Sequence, residues 1–181
     1  MLTTMRARHR LRIFRTIPLL LVFSLGVALP IAGQTSSAPG TKADRIVIVK
    51  STRTMTLMNS GKVLKTYKVA LSAHPIGGKE RVGDDKTPEG LYTVDWKNAQ
   101  SKFHLALHVS YPNAADKERA RKLGVDPGGE IEIHGIGAKY GYLGALHRQM
   151  DWTAGCIAVT NEEIDEIWKL VAVGTVIEIK P

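Results

Sequence analysis

The chain has 181 residues, 44% of them hydrophobic and 23% charged, with 25 Lys and Arg against 17 Asp and Glu for a formal net charge of +8. Much of that charge sits at one end: residues 6–15 hold five arginines and no acid, which leaves 20 basic and 17 acidic residues elsewhere, a balance of +3. A body this evenly charged, with no Lys/Arg cluster among aromatics, excludes a nucleic-acid footprint, and a single cysteine excludes an intrachain disulfide framework.

The uncharged run IPLLLVFSLGVALPIA follows at 17–32. A basic start, an apolar stretch and then small residues predict an export signal over 1–32, with retention as an inner-membrane anchor as the alternative. The run is short for a spanning helix, which needs about 20 residues. GQTSSAPGTKA at 33–43 reads as a linker, and residues 44–180 as one domain large enough for its own core.

Within that domain RIVIVK (45–50) and TMTLM (54–58) are short β-branched or alternating strands. Asn59-Ser60-Gly61 turns the chain into KVLKTYKVAL (62–71), so the pair forms a hairpin. A Gly/Pro/charge-rich loop over 74–90 ends in Thr87-Pro88-Glu89-Gly90, placed to border a cleft. LYTVDW (91–96) is a strand. FHLALHVSY (103–111) alternates, with Phe103, Leu105, Leu107 and Val109 on one face and His104, Ala106 and His108 on the other. AADKERARKLG is a charged surface helix stopped by Gly124, and EIEIHG (130–135) a strand ending at His134. After the brief apolar Ile157-Ala158-Val159, Thr160 and Glu163 form a capping-box signature. It opens a helix with Ile164, Ile167, Trp168 and Val171 on one face. The helix is expected to run to Gly174, and TVIEIK closes the chain as a strand. Many short strands with two or three short helices predict a mostly-β sandwich or open barrel.

The chemistry centres on Cys156. A lone thiol in an exported chain is a buried spectator, an intermolecular link or a working group. A working thiol needs a base, something to orient that base, and N–H donors for an oxyanion. His134, at a strand end before Gly135, is the best candidate base. His147, nine residues before the cysteine, competes with it, and His104 and His108 share a strand face that would line the same cleft. Gly155 lets the backbone at 154–156 present N–H groups to a bound carbonyl. Thr153 and Trp152 stand beside the thiol as candidate cleft residues, with His108 and His147. An imidazolium partner would lower the thiol pKa below about 8.5. The spacing matches no metal site, and no cofactor motif is present.

His134-Gly135, then T-x-G-C-I at 153–157, the early hairpin and G-x-x-x-T-P-x-G at 83–90 together resemble the L,D-transpeptidase catalytic domain (YkuD type). The resemblance spans about residues 44–180. It implies that family's β-rich sandwich, with Cys156 as nucleophile and His134 as its base. The Gly135 carbonyl would orient the imidazole, and the Gly155 and Cys156 N–H groups would form the oxyanion hole. It also implies peptidoglycan stem peptides as substrate, no cofactor, and the periplasm or cell envelope as location. Where many members carry His and Arg around the cysteine, this chain has Ala154 and Ala158. G-C-x-A-x-T-N-x-E-I resembles instead a branch that includes hydrolases detaching a wall-linked lipoprotein, so the acyl acceptor, amine or water, stays open. A non-catalytic wall-binding module, with Cys156 in the core, is the reading from another class. The long spacer between His134 and Cys156 predicts an inserted lid or helix around Tyr140–Met150.

Overall fold

The computed structural model describes residues 40–181; the expected export signal and most of the expected linker lie outside them. The strands are β1 (Ala43–Val49), β2 (Thr54–Asn59), β3 (Lys62–Lys68), β4 (Gly90–Asn98), β5 (Ala106–Val109), β6 (Glu132–His134), β7 (Ile157–Ala158) and β8 (Val171–Lys180). The helices are α1 (Ala114–Leu123), α2 (Gly137–Tyr140), a 3₁₀ segment over Gly141–Gln149, and α3 (Asn161–Leu170). Among the described residues the strands form one curled mixed sheet in the order β3-β2-β1-β8-β4-β5-β6-β7. The β1–β8 and β6–β7 pairs are parallel and the others antiparallel. The fold is the mostly-β one expected. None of the helices among these residues is long and apolar enough to cross a membrane.

Period-two patterning gives the sheet two faces. Ile46, Ile48, Leu107, Val109, Ile133, Ile157 and Ile177 are fully buried on the core side. Helix α3 closes over that side with Ile164 and Ile167, also fully buried. Each such side chain contributes about 1.5–3 kcal/mol of transfer free energy. The capping box at Thr160 forms as the sequence indicates: its hydroxyl accepts from the Glu163 N–H, and the Glu163 carboxylate accepts from the Thr160 N–H. Gly124 caps α1 in the left-handed conformation, with φ 68°.

Two expectations need correcting. The last helix ends at Leu170, not Gly174; Gly174, with φ 90°, lies inside β8, where the register against β1 slips between Ala43 and Arg45. Val171, Val173, Thr175, Val176 and Ile177 are β-branched, and pairing with both β1 and β4 outweighs the helical pattern. The strand expected over 103–111 is regular only over 106–109. His104 has φ 84°, so the chain turns there and the alternation does not extend back to Phe103.

Candidate active site

The face of β5–β7 opposite the core carries the candidate residues. Ala106 pairs with His134 and His134 with Ala158; two residues along, His108 pairs with Glu132, whose backbone N–H reaches the Cys156 thiol just before β7 begins. In a β-sheet paired residues share a face, as do residues two apart. His134 and Cys156 therefore stand on the same face, on neighbouring chain segments, two residues out of register. The Cys156 thiol donates to the Glu130 carbonyl at 3.5 Å. Burial pushes it up to about 11, with the Glu132 backbone N–H opposing that and the Glu132 and Glu130 carboxylates reinforcing it.

His134 is 1% exposed. Its Nδ1 donates to the Gly135 carbonyl at 2.5 Å, which leaves Nε2 as the basic nitrogen. Phe103 stacks on the imidazole with ring centroids 4.3 Å apart, and Trp152 meets it edge-on at 5.9 Å. Burial pulls the His134 pKa down to about 4, with the nearby His147 and Lys102 adding to the shift and the Gly135 carbonyl opposing it. At neutral pH both groups are neutral, a thiol and an imidazole on one face of the sheet. This differs from the imidazolium-lowered thiol expected from sequence, because desolvation disfavours both charged forms.

Gly135 is required by space. A Cβ there would lie 2.6 Å from Asn161 Oδ1 and 2.7 Å from the Phe103 carbonyl oxygen. Asn161, the first residue of α3, accepts from the Ile136 and Gly137 N–H groups at 2.9 and 3.1 Å and donates to the Gly137 carbonyl at 3.2 Å. It thus clamps the turn whose carbonyl orients His134. Sequence reasoning read Thr160-Asn161 only as a helix start; the asparagine's place directly after the Gly-Cys segment was the available signal. Phe103 was likewise missed, being read only as one residue on a face of an alternating strand.

The 153–156 turn is tight. Thr153 Oγ1 donates to the Cys156 carbonyl at 2.7 Å and accepts from the Gly155 N–H at 3.3 Å. Gly155 has φ 134°, and a Cβ there would meet the Lys86 carbonyl oxygen at 2.8 Å and Ile131 Cδ1 at 2.9 Å. With no ligand present, the Gly155 N–H is engaged by the threonine hydroxyl inside the turn. The loop backing Gly155 is stapled by Lys50, 2% exposed, whose ammonium reaches the Gly77 and Thr87 carbonyls and Glu89 at 2.6, 3.2 and 2.8 Å.

The other histidines separate. His104 pairs with Asp165 of α3 at 2.9 Å and leaves the cleft. His108 stays on the site face, bound to Asp95 at 2.6 Å and stacked on Trp96. His147 lies in the 3₁₀ segment, which with α2 forms the expected insertion between His134 and Cys156. Its Nδ1 accepts from Trp152 Nε1 at 3.4 Å, so its Nε2 carries the proton; that nitrogen is buried and has no partner among the described residues. The insertion borders an open, mostly apolar pocket of about 510 Å³, lined by Ile136, Tyr140, Leu143, Leu146, His147, Met150 and Trp152.

A buried imidazole fixed by the following carbonyl and a thiol share one face of a curled mixed sheet. The family model for the L,D-transpeptidase catalytic domain (YkuD) matches residues 43–179, and the chain belongs to that family. YafK of Escherichia coli (strain K12) is 32% identical over 133 residues, covering 70% of this chain and 46% of its own, so the chain spans about half the length of that relative. Among solved structures, the helical cell shape determining protein Pgp2 of Campylobacter jejuni, as its K307A mutant, is similar with a TM-score of 0.60 at 23% identity over 78% of this chain and 48% of that one. Bd1075 of Bdellovibrio bacteriovorus gives 0.53 at 24% over 80% and 50%. These two likenesses concern the fold.

Proposed function

We propose that the protein breaks an amide bond in peptidoglycan stem peptides through a thioester on Cys156 and passes the acyl group to an amine. His134 Nε2 takes the thiol proton as sulfur attacks the carbonyl, so no standing ion pair is needed. The C–N bond breaks, the leaving amine takes the proton from His134, and the acyl group stays on sulfur. A second amine then attacks the thioester, releasing the thiol and forming the cross-link. The Cys156 N–H is the proposed oxyanion donor, joined by Gly155 if the Thr153 hydroxyl turns away on substrate binding.

The observation that carries this reading is the neutral imidazole, held through Nδ1 by the Gly135 carbonyl on the face that bears the thiol. Transfer requires that water be kept from the thioester, and the 137–149 insertion with Trp152 supports that role. A hydrolytic second reading, including release of a wall-linked lipoprotein, is favoured by Ala154, a small exposed residue beside the thiol turn. Residues 1–32 would deliver the domain to the periplasm.

The test is incubation with disaccharide-tetrapeptide, alone and with an added D-amino acid, read by mass spectrometry. Cross-linked dimers or exchanged stems are expected. Tripeptide alone at every amine concentration would establish the hydrolase instead. Folded Cys156→Ala and His134→Ala proteins should both be inactive; full activity in either overturns the assignment.

A further inference from the structure

The site face extends beyond the thiol. Trp96 of β4 pairs with His108 of β5, and His108 with Glu132 of β6, whose backbone N–H reaches the Cys156 thiol. These four positions make a row across the sheet. His108 acts on the charge of Glu132, and Glu132 on that of Cys156, as neighbours in such a row do. The Trp96 indole lies stacked on the His108 ring, centroids 5.3 Å apart and planes 26° from parallel, yet is 42% exposed. Neighbouring Asp95 holds the same imidazole through Nδ1 at 2.6 Å. Consecutive residues of a regular strand point to opposite faces. Asp95 and Trp96 both reach His108 because the β4–β5 register slips between Val94 and Trp96, a bulge that re-aims the indole.

We propose that Trp96, braced by His108 and Asp95, is a saccharide platform that seats a sugar ring of the glycan strand carrying the stem peptide; this rests on the peptidoglycan reading above. A pyranose ring presents C–H groups on one face and hydroxyls at its edge. The electron-rich indole face suits the first, and the half-exposed Asp95 carboxylate at the border of the stack suits the second. Length decides the match. From β4 to the Cys156 segment is three strand spacings, about 14 Å at roughly 4.8 Å each. Three extended stem residues span about 10–11 Å, and the linkage between stem and sugar covers the rest. A ring on Trp96 therefore places the carbonyl of the third stem residue at the thiol. An ordinary surface tryptophan would have no reason to stand at this distance on this face with a bulge turning it there.

The experiment compares kcat/KM for disaccharide-tetrapeptide and for free tetrapeptide in wild type, Trp96→Leu and Trp96→Phe. The wild type should prefer the sugar-linked substrate by about tenfold, mainly through KM. Trp96→Leu keeps apolar bulk but no ring face and should bring the preference close to one, while Trp96→Phe should keep most of it. An undiminished preference in Trp96→Leu overturns the proposal. If neither substrate is turned over, the peptidoglycan reading fails by itself and the full chain is titrated with peptide-free N-acetylglucosamine–N-acetylmuramic acid disaccharide by NMR. A shift of the Trp96 indole N–H signal, with Trp152 and Trp168 unmoved, then sustains a saccharide platform; no shift at millimolar sugar overturns it.

Discussion

Replacing Gly135 by alanine tests whether a backbone carbonyl aims the base. The added Cβ would sit 2.6 Å from Asn161 Oδ1 and 2.7 Å from the Phe103 carbonyl oxygen, with Ile164 Cγ2 at 3.1 Å. The first two contacts must open by roughly 0.7–1 Å to reach ordinary van der Waals distance. Of these neighbours the Phe103 carbonyl is backbone and Asn161 is tied to Ile136 and Gly137, so the strand end carrying the Gly135 carbonyl is what gives. Overpacking of this kind costs about 1–3 kcal/mol, which lowers Tm by roughly 3–10 °C for a domain this size. That shift leaves the protein folded at 25 °C. The catalytic effect is the larger: a misplacement of about 1 Å at a positioned base costs on the order of 10²-fold in rate. Chromatographic initial rates on disaccharide-tetrapeptide, with thermal melts by circular dichroism, separate the two. A folded Gly135→Ala protein with wild-type kcat would refute the orienting role of the carbonyl.

Asn161→Ala removes the clamp without adding bulk; kcat should fall about tenfold while Asn161→Asp, which keeps the accepting oxygen, stays closer to wild type. With the Cys156 thiol pushed up to about 11, its alkylation rate in native protein should rise at higher pH than that of a free cysteine, and a midpoint below about 8.5 would contradict the desolvated site. His134 and His147 both have pKa values lowered to about 4, so the unfolded chain takes up their protons first as pH falls. Stability should therefore decline between about pH 6.5 and 4 and level off below, and denaturant melts in which His134→Gln shows the same slope there as wild type would remove that contribution.

What the sequence made legible is local chemistry. The Thr160–Glu163 box, the Gly124 stop and the Asn59–Gly61 turn each depend on residues within one turn of each other, and they appear where read. The insertion after His134 was legible as spacing, and Gly135 as a glycine beside the candidate base. What stayed hidden depends on distant partners. Phe103 reaches His134 only because the chain turns at His104, a non-glycine residue with positive φ that no pattern announces. The same turn sends His104 to Asp165, 61 residues away in sequence. The engagement of Gly155 by Thr153 was local, yet a hydroxyl's choice between solvent and a neighbouring N–H is decided by the tight packing of Lys86 and Ile131 around the glycine.

The strand order has a consequence for how the molecule is made. β8 lies between β1 and β4, with β1–β3 on one side and β4–β7 on the other. The hairpin half and the half bearing His134 are thus joined along a seam supplied by residues 171–180, with β1 and β8 paired across more than a hundred intervening positions. Such long-range closure is slow, and until β8 arrives both halves expose sheet edges. A chain emerging from the ribosome in order would hold the half bearing His134 and Cys156 unfinished until nearly all of it had been synthesised. That delay keeps His134 and Cys156 from being held in their final arrangement until the last strand is in place.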